Sequence, residues 1–284
     1  MSAFDPRITP ARPDLAALHL RGRVEAGRFV EGVVHHVVDA SAPLRHAPQA
    51  DAPLDSEALQ GEEVTVYETS DEGWCWGQLA SDGYVGYLPA NALAPGAFAA
   101  THRVVALRTF VFPAPDIKAP PVVALPFASR VRIAREEKDF GVGGGGFIPA
   151  QHLAPLAAVA PDFVATARRF IGTAYLWGGR TSLGIDCSGL VQLALQAAGI
   201  ECPRDSDMQA KLGAEIPFSG DLQTLKRGDL ICWKGHIGLV AEAGRLLHAN
   251  AFHMQTAEEP LAEAIARIAK GGSQVLSVRR LAKT

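Results

Sequence analysis

The sequence predicts an α+β protein in which small β-barrels precede a mixed helix-and-strand domain. Three observations carry this. From about residue 31 to 157 the chain reads as short β-type runs punctuated by Gly and Pro. Within that region, Tyr87-Leu88-Pro89-Ala90-Asn91-Ala92-Leu93 is echoed by Phe147-Ile148-Pro149-Ala150-Gln151-His152-Leu153, as two copies of one small module would give. From Pro161 onward, helical periodicity alternates with apolar strands. The 284 residues thus divide into an arm (1–30), two barrel segments (31–97 and 98–157) and a C-terminal domain (158–284).

The elements follow in order. In the arm, Asp14-Leu15-Ala16-Ala17-Leu18-His19-Leu20 reads as one or two helical turns after Pro6, Pro10 and Pro13. The first barrel starts with a strand at 33–38, then a long loop punctuated by Pro43, Pro48 and Pro53. Residues 64–68 and 74–79 are strands, and Ser81-Asp82-Gly83 turns tightly into Tyr84-Val85-Gly86-Tyr87-Leu88. In the second segment 103–107 and 129–134 are strand-like. Gly143-Gly144-Gly145-Gly146 is read as a hairpin tip, because no Lys-Ser/Thr follows it and no helix opens after it, as a phosphate-binding loop requires.

In the last domain Asp162 caps a helix running to Ile171. A second helix follows Asp186, with Leu190, Val191, Leu193, Ala194, Ala197 and Ala198 at helical spacing until Gly199. A loop bearing Pro203-Arg204-Asp205-Ser206 leads to a short helix ending near Leu212. Residues 227–233, 236–241 and 245–249 are three successive strands, 261–270 is a helix and 275–280 a final strand.

Composition narrows the function. The formal net charge is −3 with no basic tract, so nucleic acid is not an expected partner. No run of about 18 apolar residues is present, so no membrane span is expected. The first residues lack a basic stretch followed by an apolar one, which argues against a secretory signal. Cys75, Cys187, Cys202 and Cys232 have no CxxC spacing, which fits neither a disulfide scaffold nor a structural zinc site. A reduced, cytoplasmic setting is the expectation.

Chemistry points to Cys187. Placed just after the N-cap Asp186, it falls in the first turn of a buried helix, where unpaired N–H groups and the macrodipole favour a thiolate. On this stretch alone an inert core thiol is equally admissible. His236 starts an apolar strand and His248 ends the next. Antiparallel pairing through Glu242-Ala243-Gly244 would bring the two together, as general base and orienter for the thiol. The chain has nine histidines, and a lone one is usually a surface or satisfied residue. A Cys187/His236/His248 zinc site is conceivable, but a helix-capping thiol beside glycine-rich loops suits hydrolysis better, with no metal and no cofactor.

Asp186-Cys187-Ser188-Gly189-Leu190 follows Tyr175-x-Trp177-Gly178-Gly179 and precedes Pro203-Arg204-x-Ser206-x-x-Gln209, Gly228-Asp229-Leu230 and His236-Ile237-Gly238. This ordered set, covering about residues 160–284, resembles the NlpC/P60 family of papain-like cysteine peptidases, which cleave peptidoglycan stem peptides. The two upstream segments resemble bacterial SH3 domains, clearly in the first and more loosely in the second. The resemblance implies that Cys187 is the nucleophile, His236 the base and His248 its orienter. It implies that Tyr175 faces the nucleophile and helps hold the oxyanion, and that Asp186, Ser188 and Ser206 hold the D-glutamate and diamino-acid groups. Trp177 is read as packing, Gln209 is left open, and Cys75, Cys202 and Cys232 are read as core residues.

The combination looks most like γ-D-glutamyl-L-diamino-acid endopeptidases of murein-peptide recycling, in which the first SH3-like module selects a free N-terminal L-alanine through an acidic side chain and a tyrosine. Glu57 and Tyr84 are the nearest candidates, with Glu62 a competitor. The implied function is hydrolysis of the γ-D-glutamyl–diamino acid bond in murein stem peptides. The alternatives are an amidase or acyltransferase of the same fold acting on another amide or ester, and a cell-wall-peptide binding protein. A poised Cys187 is expected to alkylate faster than the other three cysteines, with a pH midpoint well below about 8.5.

Overall fold

The computed structural model describes residues 4–143, 145–242 and 244–282. Met1-Ser2-Ala3 of the arm, Gly144 of the glycine tip and Ala243 of the turn after Glu242 lie outside the described residues. The chain forms two compact units, Met1–Ala158 and Val159–Thr284. No helix among the described residues is long and apolar enough to cross a membrane.

In the first unit the arm departs from the sequence reading. Leu15–Ala17 is a strand, paired in parallel with Arg28–Val30, and only Leu18–Leu20 makes a turn of 3₁₀ helix. Leu15, Ala16 and Ala17 are all fully buried, and a segment buried on both faces shows no period by which strand and helix can be told apart. Arg12 anchors the arm: its guanidinium lies 4.4 Å above the Trp76 ring and donates to the Tyr87 hydroxyl at 2.8 Å.

The first barrel is a seven-stranded sheet. The expected long loop is instead a hairpin, Ser41–Arg45 against Leu54–Leu59, with Pro43 opposite Glu57. A proline is tolerated there because the other edge of that strand is paired only at Arg45, so a missing donor costs little. Trp74–Leu79 is a strand as expected, and Gly83, at φ +76°, makes the turn into Val85–Pro89. Val37, Leu44, Val64, Leu79 and Leu88 fill the core.

The second segment arranges its strands as three smaller sheets around Val104, Val111, Leu125, Val131 and Ile148. The echo is structural as well. Val85–Pro89, Ala90–Ala92 and Leu93–Pro95 run strand, 3₁₀ turn, strand, and Gly146–Pro149, Ala150–His152 and Leu153–Pro155 repeat the series. In both, the leucine after the turn donates its N–H back to the alanine that begins it.

The second unit comprises α1 (Phe163–Arg168), α2 (Cys187–Ala197), α3 (Ser206–Gln209), β1 (Ala214–Ile216), β2 (Leu230–Trp233), β3 (His236–Glu242), β4 (Arg245–Asn250), β5 (Gln255–Pro260), α4 (Leu261–Lys270) and β6 (Ser277–Arg280). The strands form one sheet in the order β1-β6-β2-β3-β4-β5, antiparallel throughout. Asp162 caps α1 through Ala165, as expected, but the helix closes at Arg168 and single turns carry the chain to Gly172. Trp233, Val240 and Leu246 pack with Leu261 and Ala264 of α4. The strands β1 and β5 escape a reading by hydrophobic run, since β1 is three residues long and β5 is Gln-Thr-Ala-Glu-Glu-Pro at the sheet edge.

Helix α2 packs against α1, β3 and β4, and all its residues except Gln196 are buried. Even Gln192 is enclosed, donating to the Cys202 carbonyl at 3.2 Å. A helix sealed all round holds its first residue firmly, which is what a nucleophile at its N-terminus needs. Replacing the fully buried Leu190 by Ala should lower the unfolding free energy by about 2–5 kcal/mol, read as a shift of the urea midpoint.

Candidate active site

Cys187 opens α2, and the geometry around it starts from Asp186. The N-cap carboxylate accepts the Gly189 N–H at 2.6 Å. Its other oxygen accepts the Gly178 N–H at 2.9 Å. Arg204, only 1% exposed, donates to both oxygens, at 3.0 and 2.7 Å. Ser188 Oγ donates to Asp186 at 3.2 Å and accepts from Arg204 at 2.8 Å. Both carboxylate oxygens are therefore taken by internal donors, so Asp186 positions its neighbours where the family resemblance implies contact with substrate. Gly189 is required by crowding: a Cβ there would lie 2.5 Å from the Gly179 carbonyl oxygen and 3.0 Å from the carboxylate.

Tyr175 enters through backbone pairing. Its N–H donates to Met254 O at 2.9 Å, beside the end of β4, and it bridges Ile185, two residues before the thiol. Burial, and then the proximity of Cys187 and Asp186, raise the Tyr175 phenol above its ordinary value, so it stays a hydrogen-bond donor.

The histidines meet as the antiparallel reading anticipates. β3 pairs with β4 in the register Leu239 to Leu247, and His236 Nε2 lies 2.8 Å from His248 Nδ1. Gly238 makes this approach possible, because a Cβ there would meet Leu246 Cδ1 at 2.8 Å and His248 Cβ at 3.2 Å. His248 Nε2 in turn lies 2.8 Å from Glu259 Oε1, and Glu259 also pairs with Arg267. Glu259 is the residue sequence reading missed. Since Ala257 is opposite His248 in register, Glu259 is its diagonal neighbour on the same face, a relation visible only once β5 is known to be a strand.

The electrostatics correct the expected low thiol pKa. Burial, then the charge of Asp186, push Cys187 up to about 12, although the Ile237 and Ser188 N–H groups favour the thiolate. Burial, then His248, pull His236 down to about 3. Burial lowers His248 to about 4 against the pull of Glu259. Desolvation thus outweighs the helix N-terminus, and near neutral pH the site rests as a thiol beside an uncharged imidazole. The proton must then move as sulfur attacks, which is general-base chemistry.

The remaining candidates sort as follows. Ser206 begins α3, half-buried. Gln209 is buried and donates to Ser188 O at 2.9 Å and Pro203 O at 2.8 Å, tying α3 to the first turn of α2. Trp177, read as packing, is 66% exposed, because the tight Gly178-Gly179 turn takes the backbone inward and leaves the indole outside. Cys75, Cys202 and Cys232 are buried, and none is in a disulfide. In the first unit Glu57 is half-buried on its strand, whereas Tyr84, 5% exposed, packs in the barrel core. Glu62 is buried with Oε2 accepting the Leu59 N–H at 2.8 Å, so its carboxylate is already engaged. As metal ligands, one ring nitrogen each of His248 and His253 and a Glu259 oxygen lie within 4.8 Å of one another, but Arg267 already pairs with that carboxylate.

Residues 172–267 match the NlpC/P60 family model, and residues 44–93 match that of the bacterial dipeptidyl-peptidase SH3 domain. A γ-D-glutamyl-L-lysine dipeptidyl-peptidase of Bacillus subtilis is 35% identical over 131 residues, 41% of this chain and 43% of that protein. The chain thus spans less than half of that relative. One of the same name from Bacillus cereus is 29% identical over 69% of this chain and 67% of its own length. The fold is that of a solved NlpC/P60 family protein from Bacillus cereus, with a TM-score of 0.72 at 20% identity, over 87% of this chain and 99% of that one.

Two measurements check this site. Inactivation by iodoacetamide should climb with hydroxide from about pH 6 to about pH 9 without levelling off; a plateau reached below about pH 7 would mean a preformed thiolate–imidazolium pair. Gly238→Ala, which pushes His248 aside without removing any polar group, should lower turnover about 10²-fold with the thiol still titratable.

Proposed function

We propose that this chain, which belongs to the NlpC/P60 family of cysteine peptidases and carries a bacterial dipeptidyl-peptidase SH3 domain, hydrolyses the γ-D-glutamyl–diamino acid bond of murein stem peptides. The observation that carries the reading is Cys187 at the start of a sealed helix, with the N–H of Ile237, the residue after His236, bonded to the thiol and His236 coupled to His248. The names of the Bacillus relatives supply the bond.

The chemistry follows from these positions. Cys187 Sγ attacks the carbonyl carbon of the γ-glutamyl amide while its proton passes to His236. The carbonyl π electrons move onto oxygen, where the Cys187 N–H and the neutral Tyr175 hydroxyl receive the developing charge. The oxyanion collapses and the C–N bond breaks, with the leaving amine taking the proton from His236. Water, deprotonated by His236, then attacks the thioester, releasing the γ-glutamyl acid and returning a proton to sulfur. In this scheme Ser188 and Ser206, beside Arg204, hold the substrate's polar groups, and Asp186 acts through them.

Glu57 provides the carboxylate that pairs with a free L-alanine ammonium, so short, trimmed peptides of the recycling kind are the substrates. Four cysteines outside any disulfide suit work in the reduced cytoplasm. The purified protein should release L-Ala-γ-D-Glu from L-Ala-γ-D-Glu-diaminopimelate, and Cys187→Ala should lose on the order of 10⁴-fold or more in kcat. Acetylation of the alanine should cut kcat/KM sharply in wild type and little in Glu57→Gln; equal rates on free and acetylated peptide would remove the selection for a free terminus.

A further inference from the structure

Outside the Cys187–His236–His248 set, the strongest cluster of titratable groups lies immediately behind it. Glu259 of β5 accepts at 2.8 Å from His248 and is paired with Arg267 of α4. Arg267 is itself held, its guanidinium 4.1 Å above the ring of Phe252. His253 is the other basic side chain in reach, but it is 3.9 Å from Glu259 and its Nδ1 contacts Asn250 Oδ1 at 3.0 Å. A cavity of about 640 Å³ lined by Phe252, His253, Glu263, Arg267 and Lys270 opens onto this group.

We infer that the Glu259–Arg267 pair is a positioning device that fixes the tautomers of both catalytic imidazoles in series. The logic is one of donors and acceptors. An ionised carboxylate only accepts, so the His248 nitrogen facing it, Nε2, must carry the hydrogen. A neutral imidazole has one N–H, so His248 Nδ1 is a bare lone pair. His236 Nε2, 2.8 Å from that lone pair, must then be the donor. This leaves His236 Nδ1 as the unprotonated nitrogen, the one able to take the thiol proton. With the opposite tautomers, Glu259 would face a lone pair and His236 would present an N–H to Cys187, incapable of acting as base. Arg267 secures the premise: against the burial that would raise it, Arg267 and His248 hold the Glu259 carboxyl below its ordinary value.

The same chain acts in the reaction. When the proton reaches His236 Nδ1, the positive charge is felt through His248 by Glu259, with no group having to reorient. Glu259 never touches substrate, so binding should be indifferent to it.

The inference rests on the cysteine peptidase reading above, yet its first test needs no substrate. The ¹⁵N shifts of His236 and His248 at neutral pH in the wild-type protein should show both as Nε2–H tautomers; finding His236 as Nδ1–H overturns the proposal whatever the enzyme cleaves. In Glu259→Gln the two tautomers should mix, because an amide both donates and accepts. Its kcat should fall roughly 10²-fold at unchanged KM, short of the ~10⁴-fold seen when a wrong-tautomer substitution touches the catalytic imidazole directly. Arg267→Gln should give the same signature more weakly, and it serves as the second variant if Glu259→Gln does not fold. Unmixed tautomers with kcat within about twofold of wild type would reduce Glu259 to a packing residue.

Discussion

One buried carboxylate, Asp186, fixes most of the second unit's active end. It receives N–H groups from Gly178 in the Tyr175 loop and Gly189 in α2, the Ser188 hydroxyl, and both arms of Arg204 from the loop before α3. Three chain segments that share no secondary structure are thus tied to one point. A buried charge is tolerable only when it is saturated in this way, and removing either member of such a pair typically costs about 3–5 kcal/mol. The bidentate geometry also fixes direction, which a lysine at Arg204 would not do.

The same carboxylate works against the thiolate. Its charge stands beside Cys187 and adds to the desolvation that keeps the thiol protonated. The thiol is therefore held in place without being preionised, by burial and the Asp186 charge, with the His236–His248 pair already formed. That arrangement suits an enclosed site, since a resting ion pair there would carry a desolvation cost throughout, whereas transient charges in a low dielectric attract strongly. It also explains why the imidazole chain runs inward to Glu259. The imidazolium needs a counter-charge that does not compete for the thiol proton.

The helix start at Cys187 and the meeting of His236 with His248 were largely legible in the amino-acid sequence because they are carried by local signals. The N-cap before Cys187, the apolar strands flanking His236 and His248, and the glycines at 189 and 238 all act over a few residues. What the sequence hid has physical reasons too. The arm strand Leu15–Ala17 is buried on both faces and carries no period. The hairpin containing Pro43 looks like a loop because edge pairing tolerates residues that central strands exclude. The thiol's pKa was misjudged because a helix N-terminus is visible in sequence, while the depth of burial that outweighs it is not. Trp177 stands in the motif yet lies 66% exposed, since a motif position does not specify which side of the turn a ring occupies.

Glu258 and Glu259 show the limit most directly. They are adjacent, identical, and part of a polar run that hydrophobic patterning leaves unassigned. Only the period of a strand separates them, sending successive side chains to opposite faces. Glu258 pairs with Arg168 at 2.9 Å and with Arg245 at 3.4 Å, where solvent screens it and each contact is worth about 0–1 kcal/mol. Glu259 turns the other way and meets a histidine that is 1% exposed. A charge on an edge strand ordinarily serves to discourage pairing with another chain. Here the strand provides both jobs with consecutive residues, one facing out to arginines, the other closing the hydrogen-bond chain that runs from His236 through His248.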